Sequence, residues 1–118
     1  MTEFNAQSFR EEAYNTPRKT QDIATPWWPK FDGHMAIADV PTPELTALQP
    51  LAKQDPAAYS AALIIRALII KDTGEQAFND ADRDHLNESG SIVMALMKEI
   101  NKFFGLDTKA AVEAAKNG

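Results

Sequence analysis

Residues 55–71 read DPAAYSAALIIRALIIK. Asp55 is a helix-capping residue, and Pro56 falls at the first helical position, where a missing N–H is harmless. Tyr59, Leu63, Ile64, Ile65, Leu68, Ile69 and Ile70 follow, filled out with alanines, and only Ser60 and Arg66 interrupt them before Lys71. A helix that is apolar on nearly every side is buried by other elements rather than laid on a surface. The β-branched residues Ile64, Ile65, Ile69 and Ile70 would also suit a strand, but the unbroken run exceeds the usual strand length. The stretch therefore reads as a central buried helix, with a buried strand as the alternative. It is short of the ~18–20 apolar residues a membrane span needs and it contains Arg66, so no membrane crossing is expected.

The rest of the chain must cover this rod. Its 118 residues suffice for one domain, 1–118. The formal charge is -5, from 12 basic and 17 acidic side chains, and both signs are spread along the chain. No basic half exists to follow a phosphate backbone, so nucleic acid is not an expected partner. With no cysteine there is no disulfide framework, thiolate metal site or cysteine nucleophile. The start, MTEFNAQSF, lacks the basic and apolar regions of a signal peptide, and a soluble intracellular protein is expected.

Taken in order, residues 1–16 form an N-terminal segment, either frayed or a short helix opened by the Ser8/Glu11 capping-box spacing, with Phe9 and Ala13 on one face. Residues 17–41 read as a β-hairpin. Five of the seven prolines lie between Pro17 and Pro43, which is hostile to helix. Lys19–Thr25 and His34–Val40 have strand character, and Met35 and Ile37 alternate with Ala36 and Ala38. Asp32-Gly33 supplies a turn. Residues 42–116 read as helical. Thr42 caps a helix with Pro43 in its first turn, Pro50 argues for a break, and Asp72-Thr73-Gly74 turns the chain after the central rod. Asn79 or Asp80 caps a short helix through Leu86. Ser91 caps an amphipathic one carrying Ile92, Val93, Leu96, Met97, Ile100, Phe103 and Phe104, and Gly105 stands where a left-handed stop is usual. An alanine-rich helix from Lys109 to Lys116 closes the chain. The fold class expected is α+β, mostly α: a small N-terminal β-hairpin packed on a bundle of about four helices.

Candidate functional residues are few. Trp27 and Trp28 adjoin, so in extended backbone they point to opposite faces and only one enters the core. The short proline-bounded loop cannot bury Trp27, Trp28 and Phe31 together, and these three are the expected partner contact, tryptophan being enriched at binding hot spots. Packing of both tryptophans against neighbouring loops is the plainer reading. No phosphate loop, nucleophile elbow or H-E-x-x-H motif occurs, and neither His34 nor His85 sits in a recognisable catalytic motif. Asp80-Ala81-Asp82-Arg83-Asp84 imitates the opening of a calcium loop. However, His85 replaces the required glycine and Ser91 the required glutamate, so the acids read as helix-start residues. No catalytic, metal or cofactor site is expected.

The order of features from AALIIRALIIKDTGEQAF through FFGLD resembles the carboxy-terminal half of the tail assembly chaperones of long-tailed, non-contractile bacteriophages. The residues carrying the resemblance are Ala62-Leu63-Ile64 through Ala67-Leu68, and then Asp72 and Gly74 to Phe78. Asp80, Asp82 and Asp84 follow, with Ile92 to Phe104 and Gly105-Leu106. A short aromatic helix, a strand, a tryptophan–proline turn and a second strand before P-x-P-E-L fit the same plan. The resemblance implies a non-enzymatic role in the cytoplasm of a bacterial host. There the protein would bind the tape measure protein, help recruit tail tube subunits and be absent from the mature virion. A homo-oligomer is compatible with this. The alternative is a structural phage component, such as a head–tail connector or tail subunit. A small metal-dependent regulator using His85 and its acidic neighbours ranks third.

Overall fold

The computed structural model describes residues 3–105, so the expected helix from Lys109 to Lys116 lies outside the described residues, as does Leu106. The elements run α1 (Ala6–Asn15), β1 (Thr20–Ile23), β2 (Met35–Ala38), α2 (Thr42–Gln54), α3 (Pro56–Ala67), β3 (Leu68–Ile70), a 3-10 turn (Asp80–Asp82), α4 (Arg83–Asn87) and α5 (Gly90–Phe103). The fold is α+β and mostly α, with an antiparallel three-stranded sheet in the order β1-β2-β3.

The run 55–71 is where expectation and structure part. Asp55 caps α3 as expected, its Oδ1 accepting the Ala58 N–H at 3.2 Å. The helix ends at Ala67, because Leu68 takes extended dihedrals (φ -82°, ψ 124°) while its N–H still donates to the Ile64 carbonyl. Leu68–Ile70 then pair with β2 as a third strand, so the expectation of one helix through Lys71 is corrected. The reason is non-local. A helix burying Leu68 and Ile69 would leave one edge of β2 unpaired inside the core, and buried backbone groups must find partners. The β-branched residues Ile69 and Ile70 suit the pleated surface they complete.

The β1–β2 hairpin forms, with Ile23 opposite Met35 and Thr20 opposite Ala38. Every residue of β2 is buried. Met35 and Ile37 join Ile23 and Leu68 in the main core, while Ala36, Ala38 and Ile69 form a small cluster on the other face, as the side-chain alternation of strands requires. Lys71 Nζ reaches Asp22 Oδ2 at 2.7 Å and ties the β3 end of the sheet to β1. In the main core α3 supplies Ala61, Ala62, Leu63, Ile64, Ile65 and Ala67, met by Leu48 of α2, Leu86 of α4, and Leu96, Ile100 and Phe103 of α5.

Smaller departures concern one proline and the helix starts. α2 continues through Pro50, forfeiting one ladder bond, because Leu45, Leu48 and Leu51 hold both halves against the core. Thr42 lies inside α2, which opens after Pro41 without a side-chain cap. α1 begins before Ser8, capped by Asn5, whose Oδ1 accepts the Ser8 N–H at 2.9 Å. α5 begins at Gly90 after Ser89, so its cap position lies two residues ahead of the expected Ser91. Asn79 does cap the acidic turn, with Asp82 Oδ2 accepting the Asn79 N–H at 2.8 Å, which gives the calcium-like sequence a capping role. Gly105 follows α5 with φ +72°, the left-handed stop expected there.

Buried and exposed apolar residues should respond oppositely to truncation. Leu63 is 1% exposed, so Leu63→Ala is expected to lower the unfolding free energy in urea by about 3 kcal/mol. Phe9 on α1 is 69% exposed, and Phe9→Ala should change it by no more than about 0.5 kcal/mol. The Lys71–Asp22 pair makes a pH prediction. The hydrogen bond from Lys71 to Asp22, then the Asp22 charge, raise the Lys71 pKa above its ordinary 10.5. The linked stabilisation is therefore present at neutral pH and lost as pH rises through that raised value. Both side chains are about half exposed, so the effect is small. The stability gap between wild type and Asp22→Asn should shrink on titration into that alkaline range.

Candidate functional site

The loop between β1 and β2 is held by its own backbone. Trp28 N–H donates to the Thr25 carbonyl at 2.8 Å, Phe31 and Asp32 N–H both donate to the Trp28 carbonyl at 2.9 Å, and His34 N–H donates to the Phe31 carbonyl at 2.8 Å. Asp32 reaches across the base, its Oδ1 accepting the Thr25 N–H at 2.9 Å. Gly33 turns the chain into β2 with φ +89°, a conformation that glycine adopts without penalty. These turns replace the extended backbone that would have sent the two tryptophans to opposite faces. Both rings are half-buried and pack on the main core, edge to face with centroids 5.8 Å apart. The Trp27 indole N–H is buried without a hydrogen-bond partner among the described residues, so packing positions that ring. Phe31 is left 48% exposed.

The opposite wall comes from beyond β3. After Lys71 the chain turns back at Gly74 (φ +76°), whose N–H donates to the Ile70 carbonyl at 2.7 Å. The return segment lies along the outer edge of β3: Ile70 N–H donates to the Glu75 carbonyl at 2.9 Å and Ala77 N–H to the Leu68 carbonyl at 3.0 Å. Gln76 fastens it further, its Nε2 donating to the Ile65 carbonyl at 3.1 Å. This register brings Phe78 to the Trp28 ring, edge to face at 6.0 Å.

Between the two walls lies an apolar groove of about 260 Å³, lined by Trp28, Phe31, Met35, Ile70, Ala77 and Phe78. Met35 and Ile70, opposite each other across β2 and β3, are contributed by the sheet. Trp28 also walls a smaller hollow of about 90 Å³ with Phe78, His85, Leu86, Ser89 and Ile92. On its outer side it shares a shallow one with Trp27, Pro29, Lys30 and Phe31. Of the three residues expected as partner contacts, Trp28 and Phe31 thus line the groove, while Trp27 packs edge to face on Trp28 and lines the outer hollow. Met35, Ile70, Ala77 and Phe78 were not among the expected residues. The spacing from Asp72 through Gly74 to Phe78 was the available signal for the last of them, and it does not state which ring Phe78 meets.

Polar chemistry at the groove is sparse. His34 Nδ1 lies 2.9 Å from Asp72 Oδ2 at one end, with both side chains about half exposed. His85 Nδ1 lies 3.6 Å from Glu88 Oε2 on the surface. Among the described residues no group of three or more His, Cys, Asp or Glu side chains is placed to hold a metal ion, and no helix is long and apolar enough to cross a membrane. The groove's lining is apolar and can accept apolar side chains.

Wall residues should separate by their packing. Phe31→Ala is expected to leave the thermal midpoint unchanged within about 2 °C, because half the ring already faces solvent. Trp28→Ala removes the contact with Phe78 and core packing, and should lower the unfolding free energy in urea by about 2–3 kcal/mol.

No family model matches the chain, and no curated protein sequence matches it. Comparison of folds finds the tail assembly chaperone of bacteriophage HK97, with a TM-score of 0.56 and 15% sequence identity over 80% of this chain and 91% of that one. At that identity the likeness is one of fold: the chain has the fold of a phage tail assembly chaperone.

Proposed function

We propose that this protein is a phage tail assembly chaperone that acts by binding rather than by catalysis. In this reading it holds apolar segments of the tape measure protein, helps bring tail tube subunits to it, works in the cytoplasm of the bacterial host and leaves before the virion is complete. The observation that carries the proposal is an open apolar groove on a fold shared with such a chaperone, built from Trp28, Phe31, Ile70 and Phe78. Aromatic side chains supply a large contact area at small entropic cost, and a groove walled by two of them suits a polypeptide client. The lining of the groove, Trp28, Phe31, Met35, Ile70, Ala77 and Phe78, carries no ionisable side chain, which favours a binder over an enzyme.

Co-expression with the tape measure protein encoded in the same genome is the direct test. The client is expected to stay soluble and to co-purify with this chain, and Phe31→Ala should weaken co-purification while the chaperone itself stays folded. An insoluble client in the presence of well-folded protein would overturn the proposal. Recovery of this chain from purified virions would favour a structural tail component instead.

A further inference from the structure

The net charge of the molecule sits beside the groove. Residues 72–88 carry six carboxylates (Asp72, Glu75, Asp80, Asp82, Asp84 and Glu88) against Arg83, giving -5. That equals the formal charge of the whole chain, and the remaining residues balance at 11 basic and 11 acidic. The same segment supplies Ala77 and Phe78 to the groove, and His85 and Leu86 to the hollow behind Trp28. Its Asp80 also lines a polar hollow of about 210 Å³ with Glu44 and Arg66. Arg66 is partly committed there, donating from Nη1 to the Ala62 carbonyl at 3.1 Å and lying 3.8 Å from Glu44. Among the described residues Glu75, Asp80 and Asp84 are exposed and enter no ion pair. The opposite bank, the β1–β2 loop, carries Lys30 and Asp32 and is neutral.

The groove also limits the conformation of its occupant. Residues 75–77 already take the outer edge of β3, with Ile69 bridged to Gln76, so a client cannot extend the sheet there. The groove itself presents side chains rather than free β3 backbone, the kind of surface on which an amphipathic helix docks.

From this we propose that the groove selects a helical segment with large apolar side chains on one face and lysine or arginine along the flank that lies over residues 75–84. The apolar face would enter between Trp28 and Phe78, and the cations would lie over Glu75, Asp80 and Asp84. This rests on reading the groove as a client site and adds the chemistry of the client. The acidic bank steers association and rejects acidic helices, while the aromatic walls supply most of the contact.

The test uses the full chain and two labelled amphipathic helical peptides that differ only in carrying lysine or glutamate beside the apolar stripe, titrated by fluorescence anisotropy. The lysine peptide is expected to bind about tenfold tighter at low salt, and to lose most of that advantage as the Debye length shrinks in high salt. The surface variant E75Q/D80N/D84N should bring the two peptides within about twofold of each other, and Phe31→Ala should weaken both by a similar factor. Equal affinities for the wild-type chain, a salt-independent preference, or no binding of either peptide would overturn the inference. So would self-association that buries Trp28 and that the lysine peptide cannot reverse, since a second copy would then be the occupant. Salt dependence of the wild-type chain stands as evidence even if the triple variant folds poorly. Rescue of the tape measure protein without any charge preference would remove this inference alone. A charge preference without rescue would remove only the functional reading.

Discussion

The joint between Ala67 and Leu68 constrains the rest of the molecule. A helix passes into a strand there with no loop between them, and Leu68 belongs to both, its N–H closing the α3 ladder while its dihedrals begin β3. Both residues are fully buried, so neither can shift without opening a cavity. The direction of the sheet is therefore tied to the axis of α3, the helix on which α2, α4 and α5 pack. Most small α+β domains adjust helices against a sheet through connecting loops. Here that freedom is removed at the centre of the core.

The groove follows from the joint in a few steps. β3 is short, so the chain leaves the sheet at Ile70, turns at Gly74 and comes back along the strand it has just made. That return seals an edge that would otherwise expose unpaired backbone groups, a hazard for a protein whose surface already displays apolar rings. It also brings Phe78 up to Trp28. The wall on the other side is fixed independently, by the internal hydrogen bonds of the β1–β2 loop. Two walls, each held by its own backbone hydrogen bonds, enclose an apolar concavity floored by Met35 and Ile70, and the charge concentrated in residues 72–88 opposes self-association of such a surface.

Most features with local causes could be read from the sequence, the cap positions of α1, α2 and α5 being exceptions, and those with non-local causes could not. The capping of α3 by Asp55, the β1–β2 hairpin, the capping role of Asn79, the amphipathic α5 and the stop at Gly105 each depend on a few neighbouring residues. The end of α3 does not. A run apolar on every face carries no periodicity to separate helix from strand, and Leu68–Ile70 becomes a strand because β2 lies beside it with an edge to pair. Pro50 is similar: propensity favours a break, and leucines on both sides of it prevail through packing. For the groove, the proline-bounded loop marked Trp27, Trp28 and Phe31 as hard to bury together, and of these Trp28 and Phe31 line it. Ile70 depends on the pairing of β3 with β2, and Ala77 and Phe78 on the return along β3, whose turn at Asp72–Gly74 is legible but whose register is not.

A fold retained at low sequence identity is retained by pattern rather than by particular side chains. What must persist here is a buried helix that becomes a strand, a hairpin beside it, a tight return and an amphipathic helix laid across the rod. Many sets of aliphatic residues satisfy those demands, because cores tolerate exchange when volume and patterning are kept. The groove walls are under a different constraint. Trp28, Phe31, Ala77 and Phe78 sit on connecting segments whose backbone is held by its own hydrogen bonds, so their side chains can change without moving the joint. The residues that fix the architecture are thus largely distinct from those that line the groove, Trp28 being among those that serve both through packing on the core.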